Sequence, residues 1–82
     1  MILTPQALFL YRLLEGGQDV SIDVIAVTMS GGDAARWEPR YAQMRVGNRV
    51  AVLNKQLARQ NSEKRVQPGV ARKTYRLVTL EA

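Results

Sequence analysis

The side chains of this sequence that could do chemistry are cations and hydrogen-bond donors, and they crowd into one stretch, VGNRVAVLNKQLARQ at residues 46–60. On a helical period Val46, Val50, Leu53 and Leu57 fall within about 60° of one another and form an apolar face. The remaining circumference carries Arg45, Asn48, Arg49, Val52, Lys55, Gln56 and Arg59, and no acidic residue stands between Glu38 and Glu63 to neutralise it. Guanidinium and ammonium groups gathered on one side of a helix suit a polyanion.

No comparable set exists for bond-making chemistry. The chain has no His and no Cys, which removes Ser/His and Cys/His nucleophile pairs and the common metal clusters, and it has no Walker-type phosphate loop. Glu38 and Glu63 are too isolated to nominate as an acid/base pair. The expectation is a binding protein without a cofactor, not an enzyme.

Charge along the chain points the same way. Residues 1–35 set Arg12 alone against Glu15, Asp19, Asp23 and Asp33, whereas the other eleven of the twelve basic residues lie in 36–82, against Glu38, Glu63 and Glu81. A basic surface on one side of a domain is the usual footprint of a nucleic-acid binder. The length of 82 residues fits one small domain spanning 1–82, and without cysteine its fold must rest on packing. The opening MILTPQALFLYRLLEGG lacks the pattern of a signal peptide, and Arg12 interrupts it short of a membrane span, so the expectation is a cytoplasmic, nucleoid-associated protein with no membrane partner.

The elements that must position these groups can be read in order. Thr4-Pro5 predicts a helix start, with Thr as cap and Pro at the first helical position. Leu3, Ala7, Leu10 and Leu14 make its stripe, Phe9 and Leu13 widen it, and Gly16-Gly17 ends it. Ser21 caps a short second helix, with Asp23 in its first turn and Val20 against Ile25 as a staple. Ile22, Ile25, Ala26 and Met29 face the first helix, and Ser30-Gly31-Gly32 opens a loop. In the third helix the row Gly47, Ala51, Asn54, Ala58 predicts close approach of another backbone.

Trp37, Tyr41 and Met44 also recur at helical spacing but lie opposite the Val46 to Leu57 stripe. One reading makes them a satellite core, with Pro39 starting a separate turn and a break between Met44 and Gly47. The other is one long helix that exposes an aromatic patch to a partner. Beyond Asn61-Ser62, KRVQPGVARKTYRLVTL predicts strands at 64–67 and 74–80 around a Pro68-Gly69 turn, with Arg72 and Lys73 near its tip.

Three main helices followed by a two-stranded β-hairpin are an α+β winged helix-turn-helix. LTPQALFLYRLLEGGQDVS, VGNRVAVLNKQL and TYRLV, in that order, resemble the DNA-binding effector domain of the OmpR/PhoB class of response regulators, here as a stand-alone module without receiver domain. The resemblance implies a recognition helix at about 45–60 in the major groove and a wing at about 64–78 on the backbone. It places Arg49 and Val52 where that family faces DNA, and Arg72 or Lys73 at the wing. Asn48, Lys55, Gln56 and Arg59 are nearby candidates for base or phosphate contact.

The expected function is sequence-specific binding of double-stranded DNA in transcription regulation, with a homodimer on DNA plausible for specificity. Two alternatives stand beside it. One is an adaptor that binds a protein such as RNA polymerase through Trp37, Tyr41 and Met44; the other is an architectural DNA binder without sequence preference.

Overall fold

The computed structural model describes residues 2–29 and 39–80, with side chains from 41 onward in the second part. Their order is α1 (Pro5–Leu14), β1 (Val20–Ser21), α2 (Ile22–Met29), α3 (Pro39–Arg59), β2 (Lys64–Pro68) and β3 (Thr74–Thr79). The fold is thus mixed α+β, with three helices beside a three-stranded antiparallel sheet in the order β1-β3-β2. β2 and β3 form the expected hairpin, pairing Lys64 with Thr79 and Val66 with Leu77.

The third strand was not expected. Val20 pairs with Tyr75 and Ser21 with Thr74, so the link between the first two helices adds two residues to the sheet. The same Ser21 caps α2, its Oγ accepting from the Val24 N–H at 3.1 Å. Pro5 opens α1 as read, but Thr4 makes no side-chain cap. Its hydroxyl instead accepts from Gln56 Nε2 at 3.1 Å.

The core follows the helical periods. Ala7, Leu10 and Leu14 of α1 and Ile25 and Ala26 of α2 are buried against Val46, Val50, Leu53 and Leu57 of α3, and Val66 and Leu77 of the hairpin complete the cluster. Phe9, expected to widen the α1 stripe, is 48% exposed.

Helix α3 departs from the reading that broke it between Met44 and Gly47. It runs unbroken for 21 residues, about 30 Å at 1.5 Å per residue. Ala42 is buried one turn before Val46, so the apolar stripe reaches back past the glycine. A helix-interior glycine costs roughly 1 kcal/mol relative to alanine, and packing on both sides of it outweighs that. Tyr41 and Met44 are consequently exposed, at 53% and 55%, rather than a satellite core; Trp37 lies outside the described residues. The helix ends in a Schellman motif: Asn61 takes the left-handed conformation at φ 55, with Ser62 N–H donating to Leu57 O and Asn61 N–H to Ala58 O.

The row of small residues does not act as read. A Cβ at Gly47 would meet nothing within 4 Å, and Ala51 and Ala58 are exposed. Among the described residues Asn54 is the member of the row that meets another backbone: its Nδ2 donates to Val66 O at 3.0 Å and its Oδ1 accepts from Val66 N–H at 2.8 Å. β2 is an edge strand, and this one amide occupies both outward-facing groups of Val66.

Replacing that amide leaves a partly buried N–H and C=O unpaired. Asn54→Ala is expected to lower the unfolding free energy by about 1–3 kcal/mol, while Ala51→Ser stays within about 0.5 kcal/mol of the parent. Urea unfolding checks both.

Candidate nucleic-acid interface

Because Val46, Val50, Leu53 and Leu57 face the core, the helical period dictates what α3 turns outward. Tyr41, Arg45, Asn48, Val52, Lys55 and Arg59 fall within about 80° of one another on the opposite side at 100° per residue, with Met44 beside them. All seven are exposed. Tyr41 and Met44, read from sequence as a separate partner contact, therefore continue the same stripe as the candidate DNA contacts. At its middle Val52, 46% exposed, sits with Arg45, Asn48 and Arg49 around a shallow depression of about 180 Å³.

Two candidates on the flank of this stripe are engaged by the start of the chain. Gln56 accepts from the Thr4 N–H at 3.0 Å and donates to the Thr4 hydroxyl. One turn on, Gln60 Oε1 accepts from the Ile2 N–H at 2.6 Å and Gln60 Nε2 donates to the Ile2 carbonyl. Arg49 Nη1 donates to Gln6 Oε1. Residues 2–6 thus run along α3 and hold three of its side chains in register. Gln56 is half-buried in this arrangement, whereas Arg49 remains exposed with further N–H groups unused by Gln6. Sequence reading passed over Gln6 and Gln60; the available signal was the Arg49, Gln56, Gln60 spacing of seven and four, which repeats along one helical flank.

The second basic group lies at the hairpin tip. Arg72 and Lys73 are exposed, and Lys73 holds a left-handed φ of 54. The tip is fastened to the α1–α2 link rather than free. Asp19 Oδ2 accepts from the Ala71 N–H at 2.9 Å, Lys73 O accepts from the Ile22 N–H at 2.9 Å, and Gly69 N–H donates to Thr74 O at 2.9 Å. Arg76 lies beneath, its Nη2 donating to Gly17 O at 3.0 Å and its Nε 3.6 Å from Asp19 Oδ1. Among the described residues neither Arg76 Nε nor that carboxylate oxygen has a hydrogen-bond partner, so their attraction is coulombic. A side chain at Gly69 would not fit here: a Cβ would stand 2.2 Å from Thr74 Oγ1 and 2.6 Å from Asp19 Cγ. Asp19 was not among the residues singled out from sequence, since its partners are more than fifty residues away.

The other hairpin cations are turned to local tasks. Arg65 Nη1 donates to the carbonyls of Ser62 and Lys64, and Lys64 Nζ donates to Thr79 Oγ1. Among the described residues no group of three His, Cys, Asp or Glu could hold a metal ion, and no helix is long and apolar enough to cross a membrane. Comparison with known proteins finds no matching family model, curated protein or solved structure.

Two outcomes follow from these contacts. Gln56→Ala with Gln60→Ala frees the amides of Ile2 and Thr4, raising their hydrogen-exchange rates while Lys55→Ala leaves them unchanged. Gly69→Ala destabilises by on the order of 1–3 kcal/mol through overpacking. Gly16→Ala, where a Cβ meets nothing within 4 Å, is expected to be near neutral, and thermal melts of the two variants check both.

Proposed function

We propose that this chain is a winged-helix regulator that binds double-stranded DNA, with α3 in the major groove and the hairpin tip on the flanking phosphates. The observation that carries the reading is the outward stripe of α3: Arg45, Asn48, Lys55 and Arg59 all exposed on one unbroken helix, with no acidic residue from 39 to 62. Exposed Arg72 and Lys73 at a fastened tip supply a second cationic point. The order of helices, hairpin and added strand supports the winged-helix reading, and with it the resemblance to OmpR/PhoB-type effector domains.

In this mechanism Lys55, Arg59 and the tip cations neutralise phosphates and release condensed counterions, which makes affinity fall with salt. Arg45 can pair with guanine and Asn48 with adenine, and Val52 offers an apolar contact to a thymine methyl. Arg49 supports the stripe from its flank through Gln6. One module presents a short interface, so two copies on adjacent half-sites would sharpen specificity.

A protein-binding adaptor is the second reading, favoured by the exposure of Tyr41 and Met44. Since both lie on the DNA stripe, a protein seated there, RNA polymerase for example, would compete with DNA rather than bind beside it. An architectural binder would use the same cations but have no need of Asn48 or Val52.

Fluorescence anisotropy with duplexes selected from a random pool, against a scrambled duplex across a salt series, tests the reading. Lys55→Ala and Arg59→Ala are each expected to reduce the log–log salt slope by about 0.9, with Arg12→Ala as a control that leaves it unchanged. Equal affinity for selected and scrambled duplexes would leave the architectural reading, and absence of binding at low salt would end the DNA reading.

A further inference from the structure

We propose that residues 2–4 form a strap that withholds Gln56 from DNA, and that Gln56 becomes a base-reading residue when the strap lifts. Gln56 stands one turn after Val52, about 40° round α3 from it and about 60° from Arg59, so its place on the wheel is beside the outward stripe. The side chain is nevertheless half-buried, its Oε1 accepting from the Thr4 N–H at 3.0 Å and its Nε2 donating to the Thr4 hydroxyl at 3.1 Å. The acceptor and donor of one glutamine amide are the pair that meets N6 and N7 of an adenine in the major groove. Thr4 and an adenine edge therefore compete for the same group.

The way the strap is held makes it able to lift. Four residues of helix rise about 6 Å and two residues of extended chain about 6.6 Å, so Gln56 and Gln60 meet Thr4 and Ile2 in step. Thr4 is extended, at φ −61 and ψ 156, and Gln60 takes both main-chain groups of Ile2. Little apolar burial backs these polar contacts: Ile2 is 87% exposed, Thr4 is exposed, and Leu3 packs only partly buried against the core. Thr4 also makes no side-chain cap on α1, so lifting the strap takes no such bond from that helix. A segment with exposed side chains and few buried contacts opens far more readily than the fold as a whole.

This control rests on the DNA reading and deepens it. With the strap docked, α3 presents its cations and Val52 but not the Gln56 amide, so it meets DNA with less discrimination. With the strap lifted, the amide joins Val52 one turn away. Linkage makes the effect reciprocal: if lifting the strap strengthens DNA binding, DNA that engages Gln56 lifts the strap by the same factor.

The test pairs anisotropy on a duplex selected from the random pool with amide hydrogen exchange of the full chain. Gln60→Ala and Thr4→Val each loosen the strap without changing charge or touching the outward stripe, and exchange at the Ile2 and Thr4 amides reports the loosening. With the lifted state populated about one time in five in the parent, each variant is expected to bind the selected duplex up to about fivefold more tightly. The salt slope stays unchanged, because no phosphate contact is added. Gln56→Ala placed in the Gln60→Ala background removes the gain, and saturating duplex speeds exchange at Ile2 and Thr4 in the parent. A gain that survives Gln56→Ala would mean that the strap obstructs DNA instead of withholding Gln56, and overturns the proposal. So do parent-like exchange in both variants, which would mean that the glutamines do not hold the strap, and duplex that slows exchange at Ile2 and Thr4. Selective DNA binding by the parent with no gain in either loosened variant sinks this control alone, whereas loosened straps with no DNA binding by any chain sink the DNA reading and the control with it.

Discussion

Everything in this small fold depends on the burial of one side of α3. Ala42, Val46, Val50, Leu53 and Leu57 recur at four, four, three and four residues and are all buried, and α1, α2 and β2 each pack on that helix. Full burial of an aliphatic side chain contributes on the order of 1.5–3 kcal/mol, so this row is a major source of order in a chain without cysteine. The helical period then removes any freedom about the opposite side. Once Leu53 and Leu57 face inward, Asn48, Val52, Lys55 and Arg59 must face out.

The flanks of α3 are closed by amides, and that choice of residue has a physical basis. An Asn or Gln side chain carries one carbonyl and one NH₂ group, so it can answer a peptide unit with both donor and acceptor. Asn54 does so for Val66 on one flank, and Gln60 does so for Ile2 on the other. Each extends main-chain pairing where no neighbouring strand exists. Cations could not serve both groups of a peptide, since they only donate. The division of labour leaves Lys55 and Arg59 on the exposed stripe between the amide flanks.

What was legible in the sequence was local and periodic. The buried stripes of α1, α2 and α3, the Ser21 cap and the hairpin all follow from spacings of a few residues. What was missed required distant partners. Val20 and Ser21 carry no strand signal of their own and become β1 only because Tyr75 and Thr74 lie alongside. Gln60 and Asp19 gain their roles from Ile2 and Ala71, each more than fifty residues away. The expected break near Gly47 failed for a subtler reason. The helical wheel correctly set Tyr41 and Met44 opposite the core, but Ala42, the residue that carries the stripe across the glycine, is small enough to pass unnoticed among them. Exposure of an aromatic was the less costly outcome, because breaking α3 would have forfeited the turn that Ala42 anchors.

The composition of the outward stripe changes along its length, and the change bears on how it would meet DNA. Its C-terminal half, Lys55 and Arg59, is purely cationic, while its N-terminal half mixes Tyr41, Met44, Arg45, Asn48 and Val52. Cations alone suffice to track a phosphate backbone. Amides and apolar tips add nothing to that task, yet they are the groups that discriminate base edges in the major groove. In helix-turn-helix docking the N-terminal residues of the recognition helix meet those edges. The polarity of the stripe therefore agrees with insertion of the N-terminal half of α3 and with Lys55 and Arg59 left near the backbone. The hairpin tip adds its own cations, held by Asp19 and Arg76 to the same link from which α2 starts. On the proposed reading, a hairpin tip fastened in this way would hold phosphate contacts at a set distance from α3, and a fixed distance between two contact points would favour one register on DNA.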